Sequence, residues 1–354
     1  MTAGVNATGR QAEAESRRGP GRQLNSLCVS PGVWATAVPF PSVLGYSFSY
    51  SVRVPEGVVV VDLGWDSDDA WQVFQAGLGR AGASLDEVIG VVATHVHPDH
   101  YGLAARIKAN TDAWIACHAD EAQYIVAHRD RSTWSAELTH WLDRCGVPPR
   151  DGLLAEVRRL VESTPSVPPD FVLHDGDLIP GTGGALSAVH TPGHTAGSLC
   201  FHDRSRRLLF TGDHLLPRVR PHVSKRPPSA EDPLGQFLDS LALLTDRANS
   251  VGMVLPGHEW PFDRMGERAS VLIEHHAERL DEIETAVVAG AATVWEVALE
   301  IGWSRPFDEF DPRAQRQALG ETYAHLFRLV QAGRLGMRND AEDAGPLEWV
   351  AAQY

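Results

Sequence analysis

From about residue 26 the chain alternates between short apolar runs and stretches in which apolar residues recur every three or four positions. VWATAVPF (33–40) and YSFSYSVRV (46–54) alternate or run apolar, with Pro and Gly between them, which predicts strands. GVVVVDLG (57–64) is a continuous β-branched run, the pattern of a strand buried on both faces. SDDAWQVFQAGLGRAG (67–82) reads as a helix: Ser67 or Asp68 can cap it, and Trp71, Phe74 and Leu78 share one face. IGVVATH (89–95) is the next buried strand, YGLAARIKAN a helix, and AWIACHA (113–119) a further strand.

The pattern then changes. ADEAQYIVAHRD, STWSAELTHWLDRCG and DGLLAEVRRLVES predict three helices separated by Ser, Gly and Pro punctuation, an inserted helical segment over about 119–169. Within it Trp134, Leu138, Trp141 and Leu142 form a stripe at helical spacing, suited either to packing or to a lid. Strand-and-turn structure resumes in FVLHDGDLIP, ALSAVHTPGH, LCFHDRSRRLLFTGDH and VGMVLPGHEW, with a helix over 231–248 before the last. Strands, a helical layer and strands again suggest two sheets sandwiched between helices. From about Ala269 the period is helical: HHAERLDEIETAVV, TVWEVALEIGW and PRAQRQALGETYAHLFRLVQAG, followed by RLGMR and PLEWVA around the polar turn NDAEDAG. Three helices and a hairpin describe a small winged-helix-like module. The expected organisation is a disordered tail (1–25), a catalytic domain (26–268) and a C-terminal domain (269–354).

Composition narrows the partners. The chain has 354 residues, 43% hydrophobic and 22% charged, with a formal net charge of -15. Lys108 and Lys225 are its only lysines, so a polyanionic partner is not expected. Apolar runs fall well short of the roughly 20 residues of a membrane span, and the polar N-terminus lacks the apolar core of a secretory signal. Cys28, Cys117, Cys145 and Cys200 are scattered and form no CxxC pair, as expected of thiols in a reducing compartment. A cytoplasmic location is the expectation.

The candidate chemistry lies in THVHPDHYG (94–102). Imidazole and carboxylate are good ligands for a borderline divalent metal. His95 and His97, two apart at a strand end, can point the same way, while Asp99 and His100 on the turn can face a second point nearby. One turn can therefore serve two metals. Further candidates follow apolar runs at three other strand ends: HTPGHTAGS (190–198), FTGDH (210–214) and LPGHEW (255–260).

HxHxDH, then TPGHT, then a GD aspartate, then a final His, with HDGDLIP between the first two, resembles the metallo-β-lactamase superfamily, in its glyoxalase II-like and β-lactamase-like protein 2 branch. The resemblance implies an α/β fold, an αββα sandwich with a helical insert and the C-terminal module appended. It implies that His95, His97 and His194 hold one metal, that Asp99, His100 and His258 hold a second, and that Asp213 bridges the two. Two Zn2+ are the implied cofactors, with iron or manganese as alternatives. Asp99 would also be catalytic, orienting a metal-bridging hydroxide or carrying a proton to the leaving group. In HTPGHT the turn residue His194 is the implied ligand, and His190 an orienting neighbour. His214 is read as a neighbour of the site and Asp62 as an orienting group. His118, His128, His140, His174 and His202 are read as ordinary histidines.

The implied reaction is metal-dependent hydrolysis of an ester, thioester or lactone bond in a small-molecule acyl substrate. The alternatives are a phosphodiesterase or ribonuclease of the same fold and a mononuclear iron enzyme like the persulfide dioxygenases. From Glu267 on there are 16 Asp and Glu against 8 Arg. That balance speaks against nucleic acid and leaves the C-terminal domain for packing or homodimerisation. WPFDRMGERASVLIEHH, where glyoxalase II enzymes hold glutathione with basic residues, has arginines but no lysine. PRVRPHVSKRPP (217–228) is locally basic; Arg218, Arg220, Lys225 or Arg226 could meet an acidic substrate group, or the loop could be merely solvated.

Overall fold

The computed structural model describes residues 26–225, 231–338 and 345–352. The expected tail, Arg226 and most of the NDAEDAG turn lie outside them. The described chain falls into two compact units.

The first unit takes in the chain up to Ala127, Pro165–Pro221 and Ala242–Ala269. Seven strands form one sheet in sequence order: β1 (Leu27–Ser30), β2 (Val33–Pro39), β3 (Tyr46–Val54), β4 (Gly57–Val61), β5 (Val88–Val92), β6 (Trp114–His118) and β7 (Phe171–Leu173). β1 to β4 run antiparallel, and β4 to β7 run parallel. The helical segments after β4, β5 and β6 are α1 (Asp68–Arg80), α2 (Pro98–Tyr101) with α3 (Ala104–Asn110), and α4 (Ala119–Ala127). A second sheet holds β8 (Leu186–His190), β9 (Leu199–Asp203), β10 (Leu208–Gly212) and β11 (Met253–Pro256) in the order β11-β10-β9-β8. β10 and β11 are parallel; the other pairs are antiparallel.

The valine run of β4 explains the layering. Val59 and Val61 join Phe48, Tyr50, Phe201 and Phe210 in the core between the two sheets. Val58 and Val60 point the opposite way, into a core with Phe74, Leu78, Ile107 and Ile115 from the helical side. Strand side chains alternate between faces, so a run apolar at every position belongs to a strand covered on both sides. α1 begins as its sequence directs: Ser67 Oγ accepts from the Ala70 amide at 3.1 Å, and Asp68 and Asp69 stand in the first turn, where negative charge is favoured.

The second unit comprises His128–Thr164, His222–Leu241 and the chain from Ser270. It contains α5 (Arg131–Arg144), α6 (Asp151–Ser163), α9 (Val294–Glu300), α10 (Pro312–Gln331) and an antiparallel pair, β12 (Leu335–Arg338) with β13 (Glu348–Ala351). α7 (Pro233–Asp246) and α8 (Met265–Val288) contribute residues to both units. Trp134, Leu138, Trp141 and Leu142 are all buried, and the Trp295 amide donates to the Cys145 carbonyl at 2.9 Å. No described helix is long and apolar enough to cross a membrane.

Candidate metal centre

The turn after β5 sets the site. β5 stops at Val92, and residues 93–97 belong to no strand or helix, with a bend at Thr94 and extended backbone at His97. Pro98 then opens α2 at its first turn, with His97 at the N-cap position. Proline suits that position because its fixed φ is helical and its missing N–H would be unpaired anyway. The switch from extended chain to helix swings Asp99 and His100 away from the direction of His95 and His97.

Three ring nitrogens converge on the first side. His95 Nε2 lies 2.9 Å from His97 Nδ1, and His194 Nε2 lies 3.3 Å and 3.0 Å from those two atoms. Nitrogens about 2.0–2.1 Å from one tetrahedral zinc stand about 3.3 Å apart, so this triangle has the dimensions of a cation site. On the second side His258 Nε2 is 3.2 Å from Asp99 Oδ2 and 3.3 Å from Asp213 Oδ1. His100 Nε2 is 3.3 Å from the same Asp213 oxygen and 3.8 Å from Asp99 Oδ2. The other Asp213 oxygen, Oδ2, is 3.9 Å from His194 Nε2. Thus Asp213 presents one oxygen to each group, and all seven residues singled out in the sequence come together.

Surrounding hydrogen bonds aim the rings. The Thr94 hydroxyl donates to Asp62 Oδ2 at 2.8 Å, which leaves its oxygen free to accept from His95 Nδ1 at 3.1 Å. His95 therefore turns the lone pair of Nε2 toward the triangle. His100 Nδ1 donates to Asp62 Oδ2 at 2.8 Å, and His258 Nδ1 to the Tyr46 carbonyl at 2.8 Å. The outer nitrogens are thereby fixed as donors and the inner ones left for a cation. Asp62 also accepts from the Thr94 amide at 2.7 Å, the role its sequence position suggested. Its backbone has φ 56, a left-handed conformation uncommon outside glycine.

The two sides differ in charge. Burial, reinforced by neighbouring rings, pushes His95 well below the usual histidine range and His97 down to about 3. Burial also opposes charge on His258 and His100, but the carboxylates prevail. Asp213 and Asp99 raise His258 to about 10, and with Asp62 they hold His100 well above its usual value. Burial opposes the ionised carboxylates too, yet His100 and His258 keep Asp99 at about 2 and Asp213 well below the usual range. His100 Nε2 and Asp213 Oδ1 are buried and face each other at 3.3 Å without a well-aligned hydrogen bond. Burying such groups with incomplete hydrogen bonding costs energy, and a divalent cation between them would remove that cost. The residues fit the group.

His190 is not among the seven. Its Nε2 donates to the Ala196 carbonyl at 2.9 Å, and its ring stacks on His118 with centroids 4.1 Å apart and planes 7° from parallel. His118, His190 and Asp120 have donor atoms within 4.8 Å of one another. A metal lies near the plane of each ring that ligates it, so two stacked rings cannot both aim at one ion; this is a stacked pair. His214 is buried beside the site, and burial with His194 nearby pushes it down to about 3. His128, His140, His174 and His202 join no converging group among the described residues. Of the basic loop, Arg218 lies against Glu259 at 3.2 Å with its guanidinium over Trp260, and Arg220 is exposed. Lys225 is buried, donating to the Glu231 carbonyl at 2.6 Å with its ammonium over Phe327.

Sequence reasoning missed three positioning groups: Thr94, the Tyr46 carbonyl, and Glu121, which is 3% exposed. Glu121 had a readable signal, because it shares a helix face with the buried Ile125 four residues on, and carboxylates are almost never fully buried without partners.

Comparison with known proteins agrees with this geometry. The family model described as metallo-beta-lactamase superfamily matches residues 43–258. Acyl-coenzyme A thioesterase MBLAC2 of Bos taurus is 33% identical over 214 residues, 58% of this chain and 71% of that protein. An atrochrysone carboxyl ACP thioesterase of Aspergillus chevalieri is 29% identical over 157 residues, 43% of this chain and 47% of its own. Among solved structures, a metallo-beta-lactamase family protein from Thermus thermophilus superposes with TM-score 0.75 at 26% identity, covering 92% of this chain and 100% of that one. A beta-lactamase domain protein from Burkholderia ambifaria gives TM-score 0.79 at 24% identity over 97% of this chain and 100% of its own, a likeness of fold. The matched span contains all seven converging side chains, and the chain belongs to the metallo-beta-lactamase superfamily.

Proposed function

We propose that this protein is a metal-dependent hydrolase of acyl thioesters, with ester and lactone bonds as the neighbouring substrate classes. The observation that carries the reading is the pair of ligand groups joined through Asp213, with Oδ1 3.3 Å from His100 and His258 and Oδ2 3.9 Å from His194. His95, His97 and His194 would hold one divalent cation, and Asp99, His100 and His258 the other, zinc being the first expectation for both. Bound cations would supply Lewis acidity and a water acidic enough, with pKa about 7, to attack a carbonyl at neutral pH.

The chain's own groups do the rest. Asp213 fixes the spacing of the two groups. Asp99 turns a carboxylate oxygen to 3.2 Å from His258 Nε2 and can pass a proton toward the departing group. A thiol leaves readily because its ordinary pKa is only about 8.5. A site whose proton carrier is a carboxyl group is therefore better matched to a thioester than to an amide. The activities for which the two thioesterases are named support the same class.

The test is elemental analysis of protein purified without added metal, followed by assays on acyl-coenzyme A thioesters, lactones, β-lactams and short RNAs. Two transition-metal ions per chain and thioester cleavage abolished by a chelator are expected. RNA cleavage without thioester cleavage would overturn the substrate class. Protein that takes up no transition metal would overturn the reading altogether.

A further inference from the structure

Resting on the ligand assignment just proposed, we infer that Glu121 is the positioning residue that locks the two turns of the three-histidine group together. It lies in the first turn of α4, far in sequence from both turns, and carries none of the seven ligand positions. Its two oxygens divide between them. Oε2 accepts from the Val96 amide at 2.8 Å, and Val96 stands between His95 and His97. Oε1 accepts from the Gly197 amide at 3.0 Å, in the turn that carries His194. The Thr195 side chain also hydrogen-bonds to this carboxylate.

One buried carboxylate therefore spans the gap that the cation must bridge. A second observation is independent of these bonds. A Cβ at Gly197 would stand 2.6 Å from Glu121 Cγ and 2.9 Å from the Glu121 amide nitrogen. The turn approaches the carboxylate so closely that only glycine fits. His100 and His258 are instead oriented by Asp62 and the Tyr46 carbonyl, so the influence of Glu121 should fall chiefly on the three-histidine group.

Glu121→Gln keeps the shape but turns an NH2 toward one of the two amides, breaking one half of the lock. The probe is Zn2+ alone, titrated against a competing chelator in backgrounds that isolate each group. In His258→Ala, which leaves the three-histidine group, Glu121→Gln should weaken Zn2+ binding about 10- to 100-fold, the range for groups that orient ligands. In His194→Ala, which leaves the other group, it should change binding by less than about 3-fold. Gly197→Ala, disturbing the same contact from the other side, should give the same selective loss and serves if Glu121→Gln does not fold. Unchanged affinity in the first background, or equal loss in both, would overturn the inference. Wild-type protein that binds no Zn2+ would instead overturn the ligand assignment on which it rests.

Discussion

His190 and His194 stand four residues apart in one motif and do different work. His194 Nε2 faces His95 and His97, whereas the same nitrogen of His190 is occupied by the Ala196 carbonyl. His194→Ala should lose one cation per chain and thioester turnover together, whereas His190→Ala should keep both cations; plasma emission analysis beside the assay separates them. This distinction was legible in the sequence, because His190 closes an apolar run and His194 sits on the turn beyond it. Helical spacing marks Glu121 as buried, but neither what it holds nor the role of Thr94 was legible. Those roles depend on hydrogen bonds to residues tens of positions away, which spacing along the chain does not encode.

Elements deliver the ligands by one repeated device, a strand that ends and a tight turn that carries the side chain. The turn after β11 is tightly packed against the other ligands. A Cβ at Gly257 would stand 2.5 Å from His100 Cε1 and 2.6 Å from Asp213 Oδ1. Gly257→Ala should therefore cut cation affinity at the His258 side by at least about 10-fold. The metal-free variant should also unfold more easily, by about 1–3 kcal/mol, because the clash does not need the cation; calorimetry beside zinc titration checks both. Strands and motif turns were readable because each apolar run is bounded by Gly or Pro. The helix expected over YGLAARIKAN was less so. Only Ala104–Asn110 of it forms α3, and Tyr101 ends α2; between them a Cβ at Gly102 would lie 2.4 Å from the Pro98 carbonyl oxygen and 2.6 Å from the Asp66 amide nitrogen, a packing constraint that helical periodicity does not reveal.

For the whole molecule, the opposed charge states of the two groups fix the response of metal-free protein to pH. His97, depressed from 6.5 to about 3, gives stability that is lost as pH falls from about 6.5 toward 3, because the unfolded chain takes up the proton first. His258, raised from 6.5 to about 10, gives stability fully present below 6.5 and lost as pH climbs through 10. Melting temperature against pH should therefore fall away on both sides of neutrality without metal. With zinc added the loss above neutrality should disappear while the fall on the acid side steepens, because bound cations replace protons on these rings and the unfolded chain takes protons up instead. A metal-free protein equally stable from about pH 5 to about pH 10 would contradict this.

Asp62 touches both halves of the centre, receiving His100 directly and His95 through the Thr94 hydroxyl. Ordering one half thus prepares the other, so the ions should load cooperatively, the first raising the association constant of the second. Linkage makes that help mutual. In Asp62→Asn the loading curve should relax toward two independent steps.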